Sequence, residues 1–156
     1  MRISIVAVGR RMPDWVQAGF KEYKKRLSHE LALELIEVLP ARRSKNSLED
    51  KLKQEEAEAI LRAVPENTRI IALDETGRKQ TTKKLAACLG NWARDGEHIC
   101  FIIGGADGLA AAVLKKADET WSLSDYTLPH ALVRVILAEQ LYRAWSLLKG
   151  HPYHRE

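Results

Sequence analysis

Short apolar runs alternate with helix-patterned stretches five times along this 156-residue chain, and nothing else in the sequence restricts its fold as tightly. Residues 2–8, 33–39, 68–73 ("TRIIAL"), 98–103 ("HICFII") and 120–124 ("TWSLS") read as strands. The first intervening helix starts with Asp14 as N-cap and reaches about Ser28. The second is charged, is capped by Ser47 and runs to Val64. "TTKKLAACLGNWARDG" is a helix closed by Gly96, and "LAAAVLKKA" is a short one. A final helix of about twenty residues follows Pro129. Strands separated by helices predict an α/β fold, a mainly parallel sheet with helices on both faces. No repeat, low-complexity tract or linker interrupts the pattern, so residues 1–156 are expected to form one domain.

Composition excludes some classes. A net charge of +4 permits an acidic partner such as RNA without requiring one. The cations cluster at Arg10-Arg11, Lys24-Lys25-Arg26, Arg42-Arg43-Lys45, Arg78-Lys79 and Lys83-Lys84, and each cluster alone reads as a solvated face. Cys88 and Cys100 are too few for a disulfide framework. His151 and His154 flank Pro152 with no cysteine pair to complete a set, so no metal is expected. The opening "MRISIVAVGR" lacks the length and cleavage site of a signal peptide, and no apolar run reaches membrane-spanning length. A soluble, cytoplasmic protein is expected.

The chemistry gathers at two places. After "CFII" the chain breaks into Gly104, Gly105, Ala106, Asp107 and Gly108 before the short helix. A strand that empties into glycines brings bare backbone close to a ligand, or simply turns tightly with no ligand at all. A Walker loop is excluded, because Leu109 stands where lysine is required. A dinucleotide loop has the right order of elements, with Asp125 placed as a ribose-binding acid. Its spacing, however, is G-G-x-x-G, and Asp107 puts a negative charge where a pyrophosphate would sit. S-adenosylmethionine carries no phosphate and meets no such obstacle.

The second place is "SLSDYTLPH" and the helix after it. That loop offers free amides and carbonyls to an adenine edge, and it also serves to start the last helix, with Thr127 near the cap and Pro129 in the first turn. The last helix is apolar nearly all round, which points to burial on more than one side, including against another subunit. Arg134 falls inside its apolar arc, either snorkelling or paired at an interface or beside the ligand loop. The tail "GHPYHRE" is either frayed or a cluster of aromatic, imidazole and guanidinium groups suited to a base and its phosphates.

Together "ISIVAVGR", "LDETGR", "FIIGGADGL" and "SLSDYTLPHALVRVILAEQLYRAWSLLKGHPYHRE" resemble the bacterial large-subunit ribosomal RNA methyltransferase H family, a single-domain branch of the SPOUT methyltransferases. The resemblance runs end to end; Arg78 stands where the family has lysine, and Thr81-Thr82 where serine is frequent. It implies a SPOUT-type fold with a C-terminal trefoil knot, which periodicity alone would exclude as too rare. It implies a homodimer acting on the ribosome and methylating N3 of pseudouridine 1915 in 23S rRNA from S-adenosylmethionine. The donor would meet Leu73, Gly104, Gly105, Leu123, Ser124, Asp125, Tyr126, Thr127 and Leu128. Catalysis is expected of His154 as base or its orienter, Tyr153 as a stacking group, and Arg143 and Arg155 against the uridinate or flanking phosphates. The tail would come from the second subunit. A non-catalytic RNA-binding module and a nicotinamide-dependent oxidoreductase are the rival readings.

Overall fold

The computed structural model describes residues 1–27 and 29–153. Its elements alternate as expected: β1 (Arg2–Val8), α1 (Asp14–Arg26), β2 (Ala32–Val38), α2 (Glu49–Ala63), β3 (Thr68–Lys79), α3 (Thr82–Asp95), β4 (His98–Ile103), α4 (Ala111–Lys116), β5 (Glu119–Ser122) and α5 (His130–Lys149). All five strands are parallel, in the order β2-β1-β4-β3-β5. The chain steps one way from β1 to β2, back across to β3, inward to β4 and outward to β5. A single hand for every crossover then forces successive helices onto opposite faces.

That division is observed. α1 and α3 pack with α5 on one face, and α2 packs with α4 on the other. One core lies under the first layer, built from Ile3, Ile5, Phe101, Leu137 and Leu141 among others. The second, with Val6, Val8, Ile60, Cys100 and Ile102, lies under α2 and α4. β4 sits in the middle with β1 beside it, and both are buried on both sides, which is why residues 99–103 and 5–8 are apolar without a break. Trp121 of β5 stacks on Trp92 of α3 at 6.0 Å and meets Phe101 edge-on at 5.8 Å. Such aromatic pairs add about 0.5–1.5 kcal/mol beyond their buried area. Among the described residues no helix is long and apolar enough to cross a membrane.

Helix starts depart from the sequence reading. Pro13 and not Asp14 occupies the N-cap of α1; Asp14 is the first helical residue, where its carboxylate still meets the positive helix end. Leu48 holds the N-cap of α2, while Ser47 Oγ accepts the Ser44 amide at 2.8 Å and closes the preceding turn. Pro129 is the N-cap of α5, one position earlier than its expected place in the first turn. Gly96 closes α3 as expected, and it and Gly150, at the end of α5, both take the left-handed conformation that closes a helix.

α5 lies across α1 and α3 at once, so much of its all-round apolarity is used inside one chain.

Candidate functional site

The site begins with a defect in the sheet. β3 continues beyond "TRIIAL" to Lys79, yet Leu73 and Arg78 both pair with Trp121, so residues 74–77 bulge out of the ladder. Gly77 makes this possible: a Cβ there would lie 2.6–2.7 Å from the backbone of Thr120 and Trp121. The bulge thrusts Asp74, Glu75 and Thr76 out over the carboxyl ends of the strands. There they meet the glycine loop after β4 and the loop between β5 and α5, around a cavity of about 640 Å³. A crevice at the carboxyl ends of parallel strands is where α/β sheets bind ligands, and this volume lies in the usual small-molecule range.

Eight of the nine residues expected at a donor line this cavity: Leu73, Gly104, Gly105, Leu123, Ser124, Tyr126, Thr127 and Leu128. Asp125 does not; it is exposed and ion-paired with Lys79 outside the cavity. Pairing of Leu73 with Ile103 puts the first and second groups side by side. Ser122 Oγ donates to the Ser124 carbonyl at 3.1 Å and Ser124 Oγ accepts the Tyr126 amide at 2.9 Å, so the third loop is held by its own hydroxyls.

The fold itself accounts for the glycines, as the tight-turn alternative has it. A Cβ on Gly104 would sit 2.9 Å from the Gly108 backbone, and one on Gly105 would sit 3.1 Å from Val8 and 3.2 Å from Glu56. Both clashes are with the protein itself. The missing side chains let the loop fold tightly onto β1 and α2, and its backbone then forms the cavity wall.

Asp107 is also not the bare charge that the sequence suggested, since Arg43 from the β2–α2 loop is ion-paired with it. The wall nonetheless carries Glu49, Asp74 and Glu75 against Lys53. This acidic balance suits a cationic ligand better than a pyrophosphate. The helix after the loop has only six residues and starts at Ala111, so it does not offer the long helix end that a dinucleotide loop feeds into.

Sequence reasoning missed His130, which lines the cavity at the start of α5. Its Nδ1 is buried with no partner among the described residues. Burial, then the nearby Arg134 charge, lowers its pKa, against an opposing pull from Glu56. An unfolded His130 protonates below about 6.5, while the folded residue stays neutral to lower pH. The unfolded state therefore binds more protons in that window, and stability falls as pH drops below 6.5. His130→Asn is expected to flatten this acid limb, read as urea midpoints at several pH values between 7 and 5. Parallel pH profiles for the two proteins would contradict the assignment. "LDETGR" carried the one usable signal for the bulge residues, a glycine inside a strand.

Arg134 is paired, and within its own chain. It is 1% exposed, donates to Glu37 at 2.5 Å, and donates to the carbonyls of Gly9 at 2.9 Å and Val8 at 3.3 Å. It thus ties α5 to the ends of β1 and β2.

Of the expected catalytic residues, the two described, Arg143 and Tyr153, do not line the cavity of the same chain. Arg143 lies thirteen residues after His130 on α5, about 20 Å along the axis at 1.5 Å per residue. Glu139 holds it at 2.7 and 2.8 Å. Tyr153 packs against Tyr142 at 4.5 Å, lies under the Arg143 guanidinium and donates to Glu139 at 3.2 Å. Burial, hydrogen bonding to Tyr23 and the Glu139 charge push its phenol up to about 12. Tyr153 therefore stays protonated near neutral pH. His154 and Arg155 lie outside the described residues.

The family described as "Predicted SPOUT methyltransferase" matches residues 1–154. Proteins of Burkholderia mallei (strain SAVP1) and Burkholderia pseudomallei (strain 668), each named "Ribosomal RNA large subunit methyltransferase H", are 51% identical over 155 residues, covering 99% of this chain and of theirs. The chain belongs to the methyltransferase H family of SPOUT proteins. Among solved structures, a "probable methylase family protein" from Haemophilus influenzae Rd KW20 aligns over 99% of this chain and 70% of its own, with a TM-score of 0.61 and 16% identity. A "Probable Methyltransferase" from Bordetella pertussis Tohama I aligns over 91% and 95%, with a TM-score of 0.54 and 18% identity. At those identities the two structures show a shared fold. The glycine loop, bulge and "SLSDYTLPH" loop of this methyltransferase H chain enclose one cavity at the carboxyl edge of that fold.

Proposed function

We propose that this chain methylates N3 of pseudouridine 1915 in 23S rRNA from S-adenosylmethionine, acting on the assembled ribosome. The observation that carries the reading is the convergence of eight of the nine expected donor residues on one cavity, in a chain 51% identical throughout to proteins named for methylation of large-subunit ribosomal RNA. The residues fit the donor. Glu49, Asp74 and Glu75 give an acidic wall for a sulfonium and an ammonium, and Leu73, Leu123 and Leu128 give apolar surface for an adenine face. Backbone of Gly104, Gly105 and the loop from Leu123 to Leu128 supplies directional donors and acceptors. When bound, the donor supplies an electrophilic methyl group.

The remaining work is the nucleotide's. Its N3 proton is lost only well above neutral pH, so a base or a charge must help. His154 takes the proton or orients the group that does, and Tyr153 stacks on the target base. Arg143 and Arg155 stabilise the uridinate or hold flanking phosphates. The roughly 15 Å along α5 between Arg143 and Val133, the last residue of that helix on the cavity wall, supports a homodimer in which each tail completes the partner's cavity. The C-terminal trefoil knot belongs to the same reading.

Incubation with labelled S-adenosylmethionine and 70S particles, followed by mapping, is expected to place one methyl group on the target nucleotide. His154→Ala is expected to lower the rate by at least about 100-fold and to change its pH profile. An unlabelled particle would overturn the activity; an unchanged rate and profile in His154→Ala would remove that residue from the mechanism. Salt-dependent RNA affinity without donor binding would favour the RNA-binding module. Competition by NAD for the donor cavity would favour the oxidoreductase.

A further inference from the structure

The carboxyl edge of the sheet carries a second surface beside the cavity. β1 and β2 end in register at Val8 and Val38, and the Gly9 amide donates to the Val38 carbonyl at 2.8 Å, so the two loops that follow leave side by side. Every charged residue in them is a cation: Arg10 and Arg11 in one, Arg42, Arg43 and Lys45 in the other. Arg43 is committed to Asp107 of the glycine loop, and the Ala41 amide donates to buried Glu56 at 3.0 Å. These two tethers moor the second loop to the wall of the cavity. Arg10, Arg11, Arg42 and Lys45 are exposed and have no side-chain partner among the described residues. Other cationic clusters are partly spent, with Arg26 on Glu22 and Lys79 on Asp125.

Arg11 adds an independent sign. Its φ of 57° is the left-handed conformation that glycine adopts at no cost and other residues resist. An arginine kept in a place that favours glycine points to use of its side chain.

We propose that these two loops form a phosphate-binding surface for the RNA backbone around the target nucleotide, with Arg10, Arg11, Arg42 and Lys45 as the contacts and Arg43 as the mooring. The proposal rests on the methyltransferase reading and deepens it by naming where the substrate is held. Contacts of this kind supply affinity and orientation without reading sequence. The Arg43–Asp107 pair fixes their distance from the glycine loop.

The test is binding to purified 70S particles at several potassium chloride concentrations, with S-adenosylmethionine binding measured in parallel by calorimetry. Arg42→Gln/Lys45→Gln is expected to weaken particle binding roughly tenfold near 0.1 M salt. It is also expected to reduce the slope of log K against log salt by about 1.4–1.8, at roughly 0.7–0.9 for each of two contacts. Donor affinity should not change. Arg11→Gly should lose particle affinity about threefold while its Tm stays the same or rises. Lys24→Gln/Lys25→Gln, on the exposed side of α1, should bind like the wild type. Wild-type affinity and slope in both loop variants would overturn the surface, as would wild-type protein that binds particles with no salt dependence. No donor binding by the wild type, with the loop effects intact, would instead defeat the methyltransferase reading and leave the surface standing.

Discussion

Replacing Arg134 by methionine is expected to destabilise the protein by about 3–5 kcal/mol, the cost of breaking a buried charged network from one side. The guanidinium satisfies Glu37 and the carbonyls of Val8 and Gly9 where water does not reach it. Methionine fills much of the volume but leaves a carboxylate and two carbonyls without donors. Because the Glu37 side chain is about a third exposed, at 35%, water takes over part of that loss and the lower end of the range applies. At an m-value of about 2 kcal/mol per molar, the urea midpoint falls by roughly 1.5–2 M. Glu37→Gln keeps an acceptor for the same guanidinium and should cost only about 1 kcal/mol. A midpoint shift under about 0.5 M in Arg134→Met would mean that the network contributes no more than a surface ion pair. The site would feel the larger loss, since Arg134 anchors the helical turn that carries His130 and Val133 to the cavity.

This residue also shows where sequence reading reaches its limit. The periodicity of the last helix places Arg134 in the apolar arc and leaves open whether it snorkels or pairs; the structure buries and pairs it. Periodicity cannot name the partner, because Glu37 lies 97 positions earlier and meets Arg134 only after three crossovers have been laid down. The same division runs through the fold. "HICFII" matches β4 residue for residue, since a continuous apolar run has few other uses. The N-caps lie one residue from the expected Asp14 and Ser47, at Pro13 and Leu48. Capping is decided by backbone angles that proline and leucine can also adopt, and hydroxyl or carboxylate identity is only a preference. The cavity was legible as three separate stretches, two of them through glycine or loop chemistry. That Asp74, Glu75 and Thr76 join them depends on a register slip between β3 and β5, and a slip is a property of two strands at once. Asp107 shows the converse error: its charge was read alone, and the Arg43 that offsets it sits in a loop 64 positions away.

Gly77→Ala is the substitution expected to damage the site most for the least chemical change. A methyl group there would lie 2.6 Å from the Trp121 carbonyl carbon and 2.7 Å from the Thr120 carbonyl, and neither neighbour is a side chain able to turn away. Either the bulge straightens or β5 moves outward. Straightening withdraws Asp74, Glu75 and Thr76 from the cavity. Moving β5 pulls Trp121 from its stack with Trp92 and shifts Leu123 and Ser124. Forcing an extra carbon into a filled space costs about 1–3 kcal/mol, and a displacement of about 1 Å in a positioned wall is enough to cost 100-fold in turnover. The expected result is therefore loss of S-adenosylmethionine binding by at least about tenfold and of methyl transfer by about 100-fold, in a protein that still unfolds cooperatively. Gly108→Ala separates crowding from conformation. A Cβ at Gly108 meets nothing within 4 Å, so only the left-handed φ of 79° is penalised, by roughly 1–2 kcal/mol of stability. Donor affinity in Gly108→Ala should stay within about threefold of the wild type, or about 0.6 kcal/mol. Should Gly77→Ala bind the donor as tightly as Gly108→Ala does, the bulge is not part of the wall, and the acidic side chains it carries have no share in holding a cation.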